Sequence, residues 1–252
     1  MQTISETNEI DKIYEFYQNR YNLLKMATEC NIPIKFFESL SSRDRILYLS
    51  NRLKEIGKVN LASFFYGKLF EATMDIDALL CKIDCLIDLS EFEEAFRLNQ
   101  TGWEIYLEVY GFNRDFVEKK LTFQKGLIAF YTGKFFLSKS ICEESILQYK
   151  SPEFFHLLAA NMIALSMSME SLKLLNKYAH KFSTIEEFTL EIIVFLLNAG
   201  HNDKSLDFLN SIYNLSPQQR GKINDFIDKY YSFNHNKSVL KEYINKEINI
   251  QG

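Results

Sequence analysis

The stretch Gly126-Leu-Ile-Ala-Phe-Tyr-Thr-Gly133-Lys-Phe-Phe-Leu-Ser138 contains a complete helix–turn–helix pattern. Apolar residues recur at helical spacing before Gly133 and again after it. Glycine readily adopts the left-handed backbone conformation that ends a helix, and a small residue just inside the second helix lets two helices approach closely. The stretch therefore predicts two antiparallel helices that are joined by a tight turn at Gly133 and meet closely at Ser138.

The same combination of a turn residue and a small residue occurs five times. The helix-ending residues are Gly57, Ser90, Gly133, Ser166 and Gly200. The small residues five positions after each of them are Ala62, Ala95, Ser138, Ser171 and Ser205. The intervals between the helix-ending residues are 33, 43, 33 and 34 residues, so three of the four match a 34-residue helical-hairpin period. The long interval carries about ten extra residues, which fall between Gln100 and Lys120.

This pattern resembles the tetratricopeptide repeat over roughly residues 43–217. The clearest copy has its matching residues at Gly126, Ala129, Gly133, Phe135 and Ser138, with Pro152 near the repeat end. Further copies, in decreasing strength, surround Ser90 with Ala95, Gly200 with Pro217, Gly57 with Val59, and Ser166 with Ser171. The copies have diverged, because none has the family's Trp in the first helix and Ser replaces Ala in three of them.

The predicted fold is all-α, a right-handed solenoid of about five to six antiparallel helix hairpins. Residues 1–42 are expected to form N-terminal capping helices, with one helix over 9–29 stopped by Pro33, a short apolar piece over 34–40, and a helix start at Ser41-Ser42. Residues 43–217 are expected to form the repeat array. Residues 218–252 are expected to form a capping hairpin with helices over 218–231 and 237–248 around Asn234.

The composition favours a helical, cytoplasmic chain. The 252 residues are 47% hydrophobic and include 9 Gly and 3 Pro, few for a sheet-rich fold. The net charge of −4 and the short basic clusters argue against direct nucleic-acid binding. The four cysteines contain no CxxC pair and are expected to be reduced core residues. The polar N-terminus predicts no signal peptide, and the apolar run Ile192 to Leu197 is too short to cross a membrane.

Catalytic motifs are absent from the sequence. There is no nucleophile elbow, metalloprotease motif, phosphate-binding glycine loop or dinucleotide fingerprint, and the four histidines are widely spaced. We therefore predict no enzymatic activity, no cofactor and no metal site.

The resemblance implies a ligand groove lined by the first helix of each hairpin. The residues at the family's groove-facing positions are Leu47, Asn51, Lys54, Glu55, Leu80, Asp84, Asp88, Lys120, Phe123, Leu127, Tyr131, His156, Ala160, Leu190, Val194 and Asn198. Family members often use Asn at the position of Asn51 to clamp a peptide backbone, since an amide can both donate and accept. Asp84 and Asp88 share one helix face, where their repulsion suggests either a role such as receiving a basic segment or ordinary surface variation.

The aromatic-rich segment around residues 103–113 leaves two interpretations open. It can be a pair of lengthened helices meeting at a longer loop, with a break at Gly111 and Asn113, or an exposed patch for a partner. The residues of that patch would be Trp103, Tyr106, Tyr110 and Phe112.

The leading functional hypothesis is a scaffold or adaptor that binds a protein or peptide in its groove, including as a peptide-responsive regulator. The alternatives are a secretion chaperone or assembly factor that shields a client segment, and a structural homo-oligomer such as a homodimer. No direct membrane partner is expected.

Overall fold

The computed structural model describes residues 4–110, 115–182, 184–212 and 215–232, and within them all regular structure is helical. The chain divides into two compact units, whose described residues are 4–110 in unit 1 and 115–232 with its gaps in unit 2. The predicted all-α class with helix hairpins is confirmed. No helix in the described ranges has the length and apolarity needed to cross a membrane.

Unit 1 contains seven α-helices in its described part. They are α1 (Ile4–Tyr21), α2 (Leu23–Glu29), α3 (Ile34–Ser39), α4 (Ser42–Glu55), α5 (Val59–Thr73), α6 (Ile76–Asp88) and α7 (Phe92–Ile105). Helices α4 to α7 pack in chain order, each against the next, and α1 packs against α4 and α5. The core of this unit is aromatic and aliphatic, with Phe37, Leu53 and Phe65 almost fully buried.

Unit 2 repeats the arrangement. Its described helices are α8 (Asp115–Tyr131), α9 (Phe135–Tyr149), α10 (Pro152–Ala164), α11 (Ser168–Phe182), α12 (Ile185–Asn198), α13 (Asn202–Ser211) and α14 (Pro217–Ser232). The first helices of its successive hairpins lie side by side, since α10 contacts both α8 and α12. The predicted helix over 218–231 is confirmed as α14, whereas Asn234 and the second helix predicted over 237–248 lie outside the described residues.

All five predicted turns have the same left-handed geometry. The φ angles are 83° at Gly57, 63° at Ser90, 76° at Gly133, 64° at Ser166 and 77° at Gly200. At Gly133 the backbone N–H donates to the carbonyl of Phe130 at 3.0 Å, and the next N–H, of Lys134, donates to Ala129 at 2.8 Å. The same pair of bonds recurs at the other four turns. This Schellman motif satisfies the last carbonyls of one helix and starts the next within two residues.

The small residue after each turn is completely buried. Ala62, Ala95, Ser138, Ser171 and Ser205 all have 0% of their surface exposed. A larger side chain at these positions would force the two helices of each hairpin apart. The repeat pattern read from the sequence therefore corresponds to real hairpin contacts.

The N-terminal prediction of one helix over 9–29 is wrong. Helix α1 ends at Tyr21, and α2 begins at Leu23 because Asn22 has a left-handed φ of 49° and its side chain accepts a hydrogen bond from the N–H of Lys25 at 3.1 Å. Pro33 does not end this helix either, because it precedes α3 as its N-cap residue. Asn and Asp adopt the left-handed conformation more often than other side chains, which is why Asn22 can break the helix without glycine.

The helix start predicted at Ser41-Ser42 is confirmed, since the Ser41 side chain caps α4 by accepting from the N–H of Asp44 at 3.2 Å. In the long connection, helical structure continues from Phe92 through α7 and a π-helical turn, Tyr106–Tyr110. The predicted break at Gly111 and Asn113 lies outside the described residues.

We predict that Ser90→Gly and Ser166→Gly each stabilise the protein. A side chain in the left-handed conformation costs about 1–2 kcal/mol, and glycine loses part of that gain through its larger unfolded-state entropy. The net rise in the free energy of unfolding should be about 0.5–1 kcal/mol, measured by urea denaturation. Ser140→Gly, at an exposed position inside α9, is the control and should lower stability. A lower free energy of unfolding for the Ser90→Gly or Ser166→Gly protein would show that the serine side chain stabilises its turn.

The reverse substitution, Gly133→Ala, should lower the free energy of unfolding by about 1 kcal/mol. A Cβ built at Gly133 meets no atom within 4 Å, so the cost comes from backbone strain and not from a clash. The same denaturation experiment checks this result, and an unchanged midpoint would contradict the role of the left-handed turn.

Candidate functional site

Three charged residues predicted for the groove converge in unit 1. The ammonium of Lys54, on α4, lies 3.8 Å from a carboxylate oxygen of Asp84 and 3.6 Å from one of Asp88, both on α6. The three side chains are roughly one quarter exposed. The repulsion between the two aspartates noted in the sequence is therefore offset by a lysine from the neighbouring first helix.

The pKa of Lys54 reflects this arrangement. Burial by itself opposes the charged ammonium, but the two carboxylates outweigh that effect and raise the pKa of Lys54. Lys54 therefore stays protonated at neutral pH.

Asn51 lies on the exposed surface of α4, and one of its amide atoms has a fixed partner. Tyr66, on α5 and almost fully buried, donates its hydroxyl hydrogen to Oδ1 of Asn51 at 2.5 Å. Burial raises the pKa of Tyr66, so the phenol remains a donor. Because the oxygen is held from inside, the two N–H bonds of Asn51 point away from Tyr66 and can reach a carbonyl of a bound chain.

None of the four cysteines, including the two beside this cluster, forms a disulfide. Burial raises the pKa of the Cys85 thiol to about 12, so it is not a nucleophile at neutral pH. Cys81 is half-buried and forms a side-chain hydrogen bond with Tyr66.

An exposed aromatic pair lies on the other side of Asn51, and sequence reasoning missed it. Phe36, on α3, and Tyr48, on α4, are 43% and 37% exposed, and their ring centres are 5.2 Å apart in an edge-to-face arrangement. The sequence feature that could have indicated this pair is the position of Tyr48, three residues before Asn51. Residues three apart are neighbours on the surface of a helix.

Several apolar residues predicted for the groove are core residues in the structure. Leu80 is 3% exposed, Ala160 is fully buried and Leu190 is 8% exposed. Leu47, Leu127 and Val194 are half-buried. Helical spacing cannot distinguish a groove-facing aliphatic residue from a core residue when both faces of the helix are covered.

In unit 2 the predicted residues are spread over three helices. Lys120, Phe123 and Tyr131 are half-buried on α8, and Asn198 is half-buried on α12. Phe123 packs edge-to-face on Phe154 of α10 with ring centres 5.5 Å apart.

His156, on α10, is partly exposed, but its Nε2 atom is buried and has no hydrogen-bond partner among the described residues. Its ring packs edge-on against Phe188 of α12 at 4.3 Å between centres. Burial lowers the pKa of His156 to about 4, with a small opposing effect from Glu153. The imidazole is therefore neutral near pH 7.

Two aromatic side chains near the end of α7 lie in the described part of the structure, and both are at least partly covered. Tyr106 has none of its surface exposed and Trp103, edge-on to it at 5.7 Å, is half-buried. Tyr110 closes the π-helical turn, but its side chain lies outside the described part of the structure, as does Phe112 altogether. Tyr106 therefore has no exposed surface that a partner could contact.

No group of three or more His, Cys, Asp or Glu side chains in the described ranges could hold a metal ion.

Two solved structures match the chain. A tetratricopeptide repeat protein from Parabacteroides merdae superimposes with a TM-score of 0.53 and 16% identity, covering 94% of this chain and 97% of that one. The second is pilF of Pseudomonas aeruginosa, with a TM-score of 0.50 and 14% identity over 88% of this chain and 97% of the other. The fold is that of a diverged tetratricopeptide-repeat protein. No protein-family model and no curated protein sequence matches the chain.

The tetratricopeptide-repeat fold accounts for why Lys54 meets Asp84 and Asp88. First helices of successive hairpins are neighbours in this fold, so positions one repeat apart in sequence lie side by side. The same fold gives His156 a neighbour from α12, in the ring of Phe188.

We predict that His156 makes the protein less stable below pH 6. Its folded-state pKa is depressed below the unfolded value of about 6.5, so the unfolded state binds the proton first and stability falls as pH drops from about 6.5 toward 4. Between pH 7 and pH 5 protonation of this group should lower the free energy of unfolding by about 1–2 kcal/mol. His156→Leu should reduce the difference between the free energies of unfolding at pH 7 and pH 5, measured with urea, by that amount. An equal pH dependence in both proteins would contradict the assignment.

Proposed function

We propose that the chain is a protein-interaction scaffold that binds a segment of a partner across α4 and α6 of unit 1. The observation that carries this proposal is the hydrogen bond from Tyr66 to Asn51, which holds an exposed amide in one orientation. A preorganised donor on an exposed face lowers the entropy lost when a peptide backbone binds there.

The tetratricopeptide-repeat fold supports a binding function because it places adjacent first helices on one face, where an extended segment can contact several of them. The half-buried residues of α8, α10 and α12, including Lys120, Phe123, Tyr131, His156 and Asn198, are proposed as a second contact surface within unit 2.

The converging charged groups favour binding over catalysis. Lys54, Asp84 and Asp88 neutralise one another in part, and the raised pKa of Lys54 makes it a poor base. We therefore propose a binding protein and not an enzyme.

The proposal includes two biological versions. In a peptide-responsive regulator the bound segment is a signal, and in a secretion chaperone or assembly factor it is part of a client that must be shielded. The identity of the captured segment distinguishes them, because a signal is a short free peptide and a client segment belongs to a folded or secreted chain.

Site-specific photo-crosslinking tests the proposed surface. Replacing Asn51 with a photoreactive amino acid in the producing cells should give a covalent adduct with a partner, identified by mass spectrometry. The matched control is Gln100, which is exposed on α7 and lies outside the proposed surface. Adducts at position 100 and none at position 51 would show that the binding surface lies elsewhere on the protein. An adduct between two copies of this chain at position 51 would favour the homo-oligomer.

The Tyr66 hydroxyl provides a second prediction. Tyr66→Phe should leave the fold intact but weaken binding of the captured partner about threefold to tenfold, the value of one lost hydrogen bond. Tyr14→Phe, at another buried tyrosine of unit 1, is the control and should leave the dissociation constant unchanged. Isothermal titration with the captured segment measures both variants, and equal affinities would show that the Asn51 orientation plays no part.

A further inference from the structure

We propose that α9 is the contact surface of a homodimer, in which it packs antiparallel against α9 of a second copy of this chain. The inference goes beyond the proposed function, because α9 belongs to unit 2, whereas the proposed peptide surface lies on α4 and α6 of unit 1. A dimer of this kind would carry two copies of that peptide surface.

The two most exposed large hydrophobic side chains in the described part of the chain both belong to α9. Leu147 is 80% exposed and Phe136 is 77% exposed. They are eleven residues apart, which is three helical turns plus about 20°, so they project from one side of the helix about 16–17 Å apart. Isolated exposed apolar residues are ordinary, whereas two of them on one line of one helix form a surface that another helix can cover.

The centre of this line is suited to close contact between helices. Ser140 is exposed and lies about 40° from Phe136 around the helix axis, between the two apolar residues. The distance between packed helices depends on the side chains at the contact, and a serine permits a short one. The opposite side of α9 faces the core, where Ser138 and Cys142 have none of their surface exposed. The outer line therefore has large apolar ends and a small centre.

An antiparallel pairing matches this line with itself. When Phe136 of one copy lies opposite Leu147 of the partner subunit, two-fold symmetry repeats the same contact at the other end of the pair. Both contacts remove apolar surface from water. Ser140 of each copy then lies near the middle, about 4–5 Å along the axis from the equivalent serine of the other copy.

The charges beside the line favour the same arrangement. Lys139 donates to Oε1 of Glu143 at 2.6 Å along one edge of the face. Antiparallel two-fold pairing brings this edge next to the same edge of the other copy, with Lys139 within about 1.5 Å, along the axis, of the level of Glu143 of the partner subunit. Two lysines and two glutamates then alternate along the edge, so each ammonium lies near two carboxylates.

A parallel pairing of the two helices lacks this match. It would bring the edge that carries Glu143 against the opposite edge, which carries Glu144 at nearly the same level, so like charges would meet. In the antiparallel pair the two copies of Glu144 are instead offset by about 7–8 Å along the axis. The face therefore fits a second copy of the chain in the antiparallel orientation.

Sedimentation velocity of the full chain tests the inference directly. The contact involves one helix from each copy, which is smaller than a standard protein–protein interface. We therefore expect a reversible dimer with a micromolar or weaker dissociation constant. The sedimentation coefficient should rise from that of a monomer toward that of a dimer as the concentration increases from micromolar to hundreds of micromolar.

A paired variant assigns the surface. Phe136→Ser with Leu147→Ser should weaken association about tenfold or more, because it removes the apolar contacts at both ends of the pair. Leu206→Ser is the control, since Leu206 is an exposed leucine on α13 of the same unit, and it should leave the dissociation constant unchanged. All three side chains are exposed, so circular dichroism and thermal unfolding at low concentration should show that both variant proteins are folded.

Engineered cysteines determine the orientation. A mixture of the Phe136→Cys protein and the Leu147→Cys protein should form a disulfide-linked dimer under mild oxidation, because these positions meet across the antiparallel pair. Phe136→Cys alone should not, since its two copies are about 16–17 Å apart along the axis and a disulfide needs Cα atoms within about 7 Å. The unsubstituted chain is the control for the native cysteines, of which three are buried and Cys81 is half-buried.

The outcomes decide the inference without reference to the proposed function, because none of the measurements involves a bound peptide. A chain that stays monomeric up to hundreds of micromolar would overturn the dimer, as would a dimer that the paired serine variant does not weaken. Disulfide formation by Phe136→Cys alone, with none in the mixture, would overturn the antiparallel arrangement. Association that is lost in the paired variant, kept in Leu206→Ser and trapped only in the cysteine mixture would establish the dimer.

Discussion

The left-handed residue between the two helices of each hairpin is the constraint on which the rest of this structure depends. It reverses the chain within two residues, so the second helix begins in contact with the first and the small side chain five positions later is buried between them. Ser90 and Ser166 adopt this conformation although it is unfavourable for a side chain. The packing of the hairpins therefore outweighs a local backbone cost at two of the five turns.

This constraint also determines which residues can form a site. Because every hairpin closes in the same way, first helices become neighbours, and residues a repeat apart in sequence are brought side by side. The contact between Lys54 and the Asp84–Asp88 pair arises in this manner. Two like charges one turn apart are unfavourable on an isolated helix, and the neighbouring helix supplies the cation that makes them tolerable.

Hydrogen bonds and burial then give the surface its chemical character. Tyr66 reaches Asn51 from the core and holds its amide oxygen, while Cys85 is buried beside the cluster with a raised thiol pKa. The groups that could react are protonated or paired, and the groups that face outward are an amide, an aromatic pair and a partly neutralised acidic pair. These features support the proposed binding surface on α4 and α6.

The sequence by itself determined the repeated hairpin, because the turn and its small residue are local features that lie five positions apart and need no knowledge of distant contacts. The positions of Asn51, Lys54, Asp84 and Asp88 followed from the resemblance to a known repeat. Only the tertiary structure decided that Lys54 lies between the aspartates, that Leu80 and Ala160 are core, and that Phe36 meets Tyr48. Asn22 was missed for a related reason: an asparagine breaks a helix only when its surroundings favour the left-handed form. Helical periodicity shows which residues share one face of a helix. Whether that face is exposed depends on which neighbouring helix covers it.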